Sequence, residues 1–197
     1  RIEPENNIHI VLEAFSKLKM KLIVIGNWNN SEYGKNLKKD YSTFPNIKLL
    51  DPIYEQRTLD LIRGNCSLYI HGHSAGGTNP SLVEAMSLAL PIISFDVSYN
   101  RATTEDKCLY FKTTEDLVTV VENSSLESLQ LQKDIMLEIA TRRYSWKSIA
   151  RKYKNLIYSF DFNYSKQDIR PKIEKVNSSK LQHKGVSHLK NTKPYYK

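Results

Sequence analysis

Residues 71–84 read His-Gly-His-Ser-Ala-Gly-Gly-Thr-Asn-Pro-Ser-Leu-Val-Glu and hold three of the seven glycines in the chain. An apolar run precedes this stretch and an amphipathic run follows it. Asn79 is a favoured N-cap residue and Pro80 a favoured first helical residue, so the stretch predicts a strand, a loop and a helix in succession. Glycines let a ligand approach the backbone, and a helix N-terminus attracts anions. With free N–H groups expected at Ser81 and Leu82, the stretch predicts a phosphate or diphosphate site.

Short apolar runs and amphipathic runs alternate on both sides of this stretch. Parallel strands need long crossover connections, which helices usually supply, so the alternation predicts an α/β fold with a Rossmann-like parallel sheet and helices on both faces. Residues 1–160 are expected to form this domain. Residues 161–197 form a basic tail, which is expected to be loosely ordered or to pack on an absent domain. The predicted strands are 21–25 (buried), 46–50, 67–71, 91–95 and 108–111. The predicted helices are 5–18, a segment after Ser31 that Pro45 ends, 55–63 closed by Gly64, 80–88, a segment from Thr114, a segment over 126–139, and one after Ser145 with Ile149, Tyr153, Leu156, Ile157 and Phe160 on its inner face.

Composition and charge limit the class of protein. The chain of 197 residues is 40% hydrophobic and 25% charged, which suits a domain with a buried core. Most of the net charge of +8 belongs to the tail, so the near-neutral remainder gives no reason to expect a nucleic-acid partner. No apolar run reaches the roughly 18 residues of a membrane helix. Residue 1 is Arg rather than Met, so targeting stays open. Cys66 and Cys108 have no metal-ligand spacing and suit a reducing compartment.

Two side-chain types in the stretch have a functional and a structural interpretation. Glu84 lies about one turn into the predicted helix, and its carboxylate leans back toward the loop. It could accept hydrogen bonds from the vicinal hydroxyls of a ribose, or it could only interact with the helix dipole, and spacing alone leaves both open. His71 and His73 fall on one face of a strand end. A metal would need a third ligand, so contact with a ligand of the loop or packing of the loop is the better interpretation.

Polar residues also follow the fourth predicted strand. Asp96 ends that strand and could line a cleft, but a cap on the next turn is preferred. Arg101 and Glu105 are candidate phosphate or packing partners. The tetrapeptide Thr-Thr-Glu-Asp occurs at 103–106 and again at 113–116, and both copies are interpreted as helix-capping turns.

Several motifs, in order along the chain, resemble those of a known family. Ser-Leu-Val-Glu-Ala-Met at 81–86, followed by Leu-Pro-Ile-Ile at 90–93, looks like the donor-site signature of the GT-B retaining glycosyltransferases of family 4. Residues 1–7 resemble the segment that begins the C-terminal domain of that family, and 144–146 resemble its closing helix. The run 76–81 is similar to that of a bacterial subgroup described as rhamnosyltransferase-like. The resemblance covers roughly residues 1–160.

The resemblance implies ligand-binding roles for the residues of this chain that match the motifs of the family. Glu84 matches the second Glu of the Glu-x7-Glu motif, a ribose ligand, whereas the first falls on Gly76, so the usual carboxylate contact with the donor sugar is missing. Arg1 matches a diphosphate-binding Arg, and the Lys that accompanies it falls on Asn6, which can donate a hydrogen bond but brings no charge. Pattern and resemblance together place Arg1, Asn6, Thr78, Asn79 and Ser81 at the diphosphate, His73, Gly76 and Gly77 at the donor sugar, Glu84 at the ribose, and Asp51, Pro52, Ile53 and Tyr54 in the loop against the base.

The function implied is that of the donor-binding half of a retaining glycosyltransferase. Such an enzyme transfers a hexosyl unit from a nucleotide diphosphate sugar, UDP- or dTDP-linked, to a glycan or lipid-linked saccharide. The implied setting is bacterial surface polysaccharide synthesis (O-antigen or capsule) in the cytoplasm, with no cofactor and no metal. The implied partner is an N-terminal GT-B domain absent from this sequence, without which this half is expected to be inactive.

Other interpretations stay open beside this one. The basic tail could cross back to the N-terminal domain, touch the anionic inner face of the membrane, or have no role. A sugar-nucleotide epimerase of the same fold is one alternative function, although Gly76 removes a carboxylate that its chemistry would need. A non-enzymatic nucleotide-binding module is the other.

Overall fold

Five short parallel strands and eight helices make up the part of the chain that the computed structural model describes, residues 1–161 with side chains through Tyr158. The strands are β1 (Leu22–Ile25), β2 (Ile47–Leu50), β3 (Tyr69–His71), β4 (Ile92–Phe95) and β5 (Leu109–Phe111). The helices are α1 (Ile8–Lys17), α2 (Glu32–Tyr41), α3 (Gln56–Gly64), α4 (Pro80–Ser87), α5 (Ser98–Thr104), α6 (Thr114–Asn123), α7 (Leu126–Tyr144) and α8 (Trp146–Asp161), and a 3-10 turn over Pro4–Asn6 precedes α1. The predicted tail falls outside this range after Asp161.

The strands pair in parallel, and the predicted α/β class is confirmed. β1 pairs with β2, and β4 lies between β3 and β5, so the strands form a two-stranded and a three-stranded sheet. One apolar cluster joins the two sheets, because it contains Leu22 of β1, Ile47 of β2 and Phe111 of β5. The two sheets therefore share a core.

Helices cover both faces of the three-stranded sheet, as predicted. Consecutive strand residues point to opposite faces, and β4 carries two buried isoleucines in succession. Ile93 packs in the cluster that contains Phe15 of α1 and Leu117 of α6. Ile92 packs in the cluster that contains Met136 of α7 together with residues of α4. β3 is packed on both faces in the same way, because Ile70 contacts the first cluster and Tyr69 the second. The loop 72–79 therefore follows a strand that is anchored on both sides.

Three predicted segments differ from the structure. The helix predicted for 5–18 is interrupted at Asn7, which adopts a left-handed conformation with φ 49°. The strand predicted to be buried at 21–25 is only partly so, since Ile23 is 45% exposed at the edge of a two-stranded sheet. Gly64 is the last residue of α3 rather than its cap, and Asn65 follows as the C-cap.

The chain divides by contacts into two units, Arg1–Ile149 and Ala150–Lys197. Three of the apolar side chains of α8 that the sequence predicted on an inner face are exposed: Tyr153 is 64% exposed, Leu156 49% and Ile157 61%. Ile149 is half-buried, and the side chain of Phe160 lies outside the described residues. Helical periodicity therefore predicted the helix correctly but not the burial of its apolar stripe. None of the helices within residues 1–161 is both long and apolar enough to cross a bilayer.

Gln132 of α7 ties that helix to the central strand. Its side chain is 93% buried, its Nε2 donates to the carbonyl of Ile92 at 3.0 Å, and its Oε1 accepts from the N–H of Ile92 at 2.6 Å. A single side-chain amide thus satisfies both backbone polar groups of one buried residue, which is required for their burial.

Replacing this side chain tests how much the tie contributes. Gln132→Ala leaves the backbone groups of Ile92 without these partners, and we expect the free energy of unfolding to fall by about 3 kcal/mol. Urea denaturation followed by circular dichroism measures the loss. Gln130→Ala, at an exposed position of the same helix, is the control and should change stability little. Equal stabilities for the two variants would contradict this account.

Candidate functional site

The helix α4 begins as predicted but uses its first amides internally. Asn79 is the N-cap, and its Oδ1 accepts from the N–H of Ser81 at 2.9 Å. The N–H of Leu82 donates to the carbonyl of Asn79 at 3.1 Å. The expectation of free N–H groups at Ser81 and Leu82 is therefore wrong, because the side chain and carbonyl of the cap already accept from them.

The unpaired donors lie slightly earlier, in the loop itself. Residues 75–78 are exposed, and no group within residues 1–161 accepts a hydrogen bond from any of their backbone N–H groups. Gly76 has φ +89°, a conformation that residues with a Cβ rarely adopt. Free backbone amides next to a helix N-terminus suit the binding of an anion.

The N-terminal segment holds one side of this loop. Ser74 donates its backbone N–H to the carbonyl of Glu5 at 2.7 Å, and the side chain of Asn7 donates to the carbonyl of Gly72 at 2.8 Å. A Cβ at Gly72 would overlap the carbonyl oxygen of Asn6, so only glycine permits this approach. The left-handed conformation of Asn7, which the sequence did not indicate, aims its amide at the loop.

Two of the predicted diphosphate ligands, Arg1 and Asn6, lie in the N-terminal segment that contacts the loop. Asn6 accepts from Nδ1 of His73 through its Oδ1 at 2.8 Å, and its Nδ2 donates to the carbonyl of Arg1 at 3.0 Å. Asn6 therefore joins Arg1 and His73, and part of its donor capacity is used within the chain. Arg1 is exposed at this edge, and His73 is half-buried.

Helix α5 holds the other side of the loop. Asn100 is 99% buried, and its Nδ2 donates to the carbonyl of His73 at 2.9 Å and to that of Phe95 at 3.0 Å. The hydroxyl of Thr103 lies 3.4 Å from that of Thr78. Sequence reasoning missed Asn100, whose signal would have been a polar residue on the buried face of a short helix.

His71 lies beneath the loop at the end of β3. It is 96% buried, and no group in the described part of the chain, residues 1–161, makes a hydrogen bond with its Nε2. Burial, with a smaller contribution from His73, lowers the pKa of His71 from 6.5 to about 4. The ring is therefore neutral at pH 7 and contributes no positive charge to the site.

Glu84 of α4 forms an ion pair with a residue of another helix. Its Oε2 lies 2.5 Å from Nη1 of Arg63, at the end of α3. The Glu84 side chain is 44% exposed and that of Arg63 16% exposed. Sequence reasoning missed this pair, because the two residues lie on different helices and no spacing rule connects them.

The predicted base loop lies after β2. Asp51 is paired with Lys38 of α2 at 3.1 Å, and Tyr54 is 88% exposed. Glu55, directly after it, caps α3 by accepting from the N–H groups of Arg57 and Thr58. In the part of the chain with described side chains, no hydrogen bond or ion pair joins 51–54 to the loop of 71–79.

The polar residues that follow β4 form ion pairs. Asp96 pairs with Arg101 at 2.5 Å and lies 3.8 Å from Lys112. Arg101 and Lys112 lower the pKa of the Asp96 carboxyl. The expected Asp96 cap is absent, because the N-cap of α5 is Val97 and makes no side-chain capping bond. Glu105 pairs with Arg142 and Arg143 of α7, so it is a packing partner.

The two Thr-Thr-Glu-Asp copies end up at opposite ends of helices. Thr113 and Asp116 form a capping box at the start of α6. The copy at 103–106 ends α5, where Glu105 and Asp106 take left-handed conformations. Identical tetrapeptides thus adopt different structures, because their flanking sequences differ.

Among residues 1–158, no three side chains of His, Cys, Asp or Glu lie close enough together to hold a metal ion. Cys66 is half-buried and Cys108 buried, both are free thiols, and burial raises the pKa of each.

Comparisons with known proteins agree with this architecture. The family model described as glycosyl transferases group 1 matches residues 1–135. No curated protein sequence matches. The chain is similar in fold to HepE of Anabaena in complex with UDP-glucose, with TM-score 0.69 and 16% identity over 81% of this chain and 47% of that one. Sucrose-phosphate synthase of Thermosynechococcus elongatus gives TM-score 0.71 and 14% identity over 82% and 44%, and TarM gives 0.62 and 17% over 79% and 33%. The chain spans less than half the length of each of these proteins.

The buried neutral His71 predicts a specific pH dependence. As pH falls below 6.5, the unfolded chain binds a proton at this residue and the folded chain does not until about pH 4. Stability is therefore lost as pH falls through this window, by about 2 kcal/mol between pH 7.5 and pH 5 from this group alone. Urea denaturation at the two pH values should show a smaller loss in His71→Gln than in the unsubstituted chain. His9→Gln, at an exposed histidine, should leave the loss unchanged, and equal losses in all three proteins would refute the assignment.

Proposed function

Because this chain belongs to the glycosyl transferases of group 1, we propose that it is the donor-binding part of a glycosyltransferase that uses a nucleotide diphosphate sugar. The observation that carries the proposal is the loop 75–78 before α4, whose residues are exposed and whose backbone N–H groups donate no hydrogen bond within residues 1–161. These amides and the positive end of the helix dipole suit a diphosphate. Thr78, Asn79 and Ser81 would complete this surface.

The positive charge at the diphosphate would come from Arg1. The carbonyl of Arg1 accepts a hydrogen bond from Asn6, and Asn6 is hydrogen-bonded to His73 at the start of the loop. The exposed Arg1 side chain therefore begins close to the loop. His71 is neutral at pH 7 and adds no charge. Charge that develops on the leaving diphosphate would be stabilised by the loop amides and by the guanidinium of Arg1.

The donor sugar would lie over Gly76 and Gly77. Among the described residues, apart from the two that adjoin Gly77, no heavy atom lies within 4 Å of the position that a Cβ would take at Gly77, so there is open space above the backbone. With glycine at 76, contacts to the sugar would come from loop backbone and His73 rather than from a carboxylate. Glu84 would accept hydrogen bonds from ribose hydroxyls, and the segment Asp51, Pro52, Ile53 and Tyr54 would lie against the base.

The reaction proposed is transfer of a hexosyl unit, with retention of configuration, to a glycan or lipid-linked saccharide. UDP or dTDP is the proposed nucleotide, and UDP and UDP-glucose complexes of the fold neighbour HepE support the former. The acceptor site would belong to a second, N-terminal GT-B domain, so this chain alone is expected to bind donor without transfer. Synthesis of a bacterial surface polysaccharide at the inner face of the membrane is the proposed setting.

Calorimetric titration of the chain with UDP, dTDP and GDP tests the proposal. Saturable binding of one nucleotide is expected, and Glu84→Ala should weaken it by roughly tenfold, since a hydrogen bond to a charged group is worth about 1.5–3 kcal/mol. Glu122→Ala, at an exposed position of α6, is the matched control and should bind like the unsubstituted chain.

The outcomes distinguish failure of the proposed donor site from failure of the ribose role proposed for Glu84. Equal weakening by both glutamate substitutions would contradict the ribose role of Glu84. Absence of binding by all three nucleotides would contradict a preformed donor site in this chain.

A further inference from the structure

We propose that Arg63 is a positioning residue for nucleotide recognition, which holds the Glu84 carboxylate in the orientation that accepts the ribose hydroxyls. The inference rests on the proposed function and extends it to Arg63, whose side chain, within residues 1–158, reaches the site through its ion pair with Glu84. Its basis is the ion pair between Nη1 of Arg63 and Oε2 of Glu84 at 2.5 Å.

Burial differs between the two members of the pair. The Arg63 side chain is 16% exposed at the end of α3, so the surrounding protein fixes its position. The Glu84 side chain is 44% exposed on the first part of α4 and would sample several rotamers without a partner. The enclosed guanidinium therefore fixes the open carboxylate, and not the reverse.

The ion pair leaves acceptor capacity on the carboxylate. Within residues 1–158 the only hydrogen bond to the Glu84 carboxylate goes to Oε2, and Oε1 accepts none. An ionised carboxylate can accept about four hydrogen bonds, so ribose hydroxyls can bind while Arg63 stays in place. A held carboxylate loses less conformational freedom on binding than a free one, which improves affinity without a new contact to the ligand.

The charge of Arg63 has a second consequence. An unpaired carboxylate near a diphosphate would repel it, because like charges at short range disfavour one another. Pairing with Arg63 offsets this negative charge and still allows the oxygens to accept hydrogen bonds. Arg63 thus makes a carboxylate compatible with an anionic ligand one helical turn away.

The test compares UDP with its dideoxy analogue, which lacks both ribose hydroxyls. The ratio of the two dissociation constants isolates recognition of the hydroxyls from any effect common to both nucleotides. We expect UDP to bind at least roughly tenfold more tightly than the analogue to the unsubstituted chain, and Arg63→Met to reduce this ratio to about twofold. Arg63→Lys keeps the charge without the fork and should give an intermediate ratio.

The controls distinguish positioning from general damage. Arg57→Met, at an exposed arginine of the same helix, should keep the ratio of the unsubstituted chain. Thermal unfolding monitors whether each variant is folded, and Arg63→Lys serves as the folded substitute where Arg63→Met is not. Loss of affinity for both nucleotides with an unchanged ratio is the signature of a merely structural residue.

Failure of the inference can be told from failure of the proposed function. A ratio that collapses in Glu84→Ala but persists in both Arg63 variants overturns the inference and leaves the ribose role of Glu84 intact. A ratio that persists in Glu84→Ala overturns the ribose role and the inference together. Absence of UDP binding by the unsubstituted chain overturns the donor site itself, and the inference with it.

Discussion

The backbone contact between the N-terminal segment and the loop after β3 determines the geometry of the candidate site. The carbonyl of Glu5 accepts from the N–H of Ser74, and Asn7 reaches the carbonyl of Gly72 across 65 residues of sequence. The approach is close enough that a single methyl group at Gly72 would prevent it. Through Asn6 it also brings Arg1 to the loop. Without this contact, the amide-bearing loop would keep only the support of α5.

Support from two sides explains how an exposed loop can have a defined shape. Asn100 fixes the carbonyl of His73 from one side, and Asn6 fixes the ring of the same residue from the other. The amides of 75–78 are therefore held at the end of a strand that is packed on both faces. A site that is ordered before the ligand binds loses little entropy on binding. Glycines allow the loop its close backbone approach, and the side chains of Asn6 and Asn100 fix its conformation.

Features of the structure that depend on neighbouring residues could be predicted from the sequence. The alternation of apolar runs predicted the α/β class, and Asn79 and Thr113 predicted helix starts that the structure bears out. Interactions between distant segments were missed, such as the pairing of Arg63 with Glu84 and the left-handed turn at Asn7. Neither propensity nor periodicity contains these contacts. Burial on α8 was also predicted wrongly. An apolar stripe indicates that one face of a helix is hydrophobic, but it does not indicate which segment packs against that face.

The central claim is that the amides of 75–78 bind the diphosphate, and nuclear magnetic resonance tests it most directly. In the isotope-labelled chain, addition of UDP should shift the amide signals of Gly76, Gly77 and Thr78 more than those of any other segment. Adenosine, which lacks a diphosphate, should not shift them. Changes confined to other parts of the chain, or equal shifts with adenosine and UDP, would contradict the account.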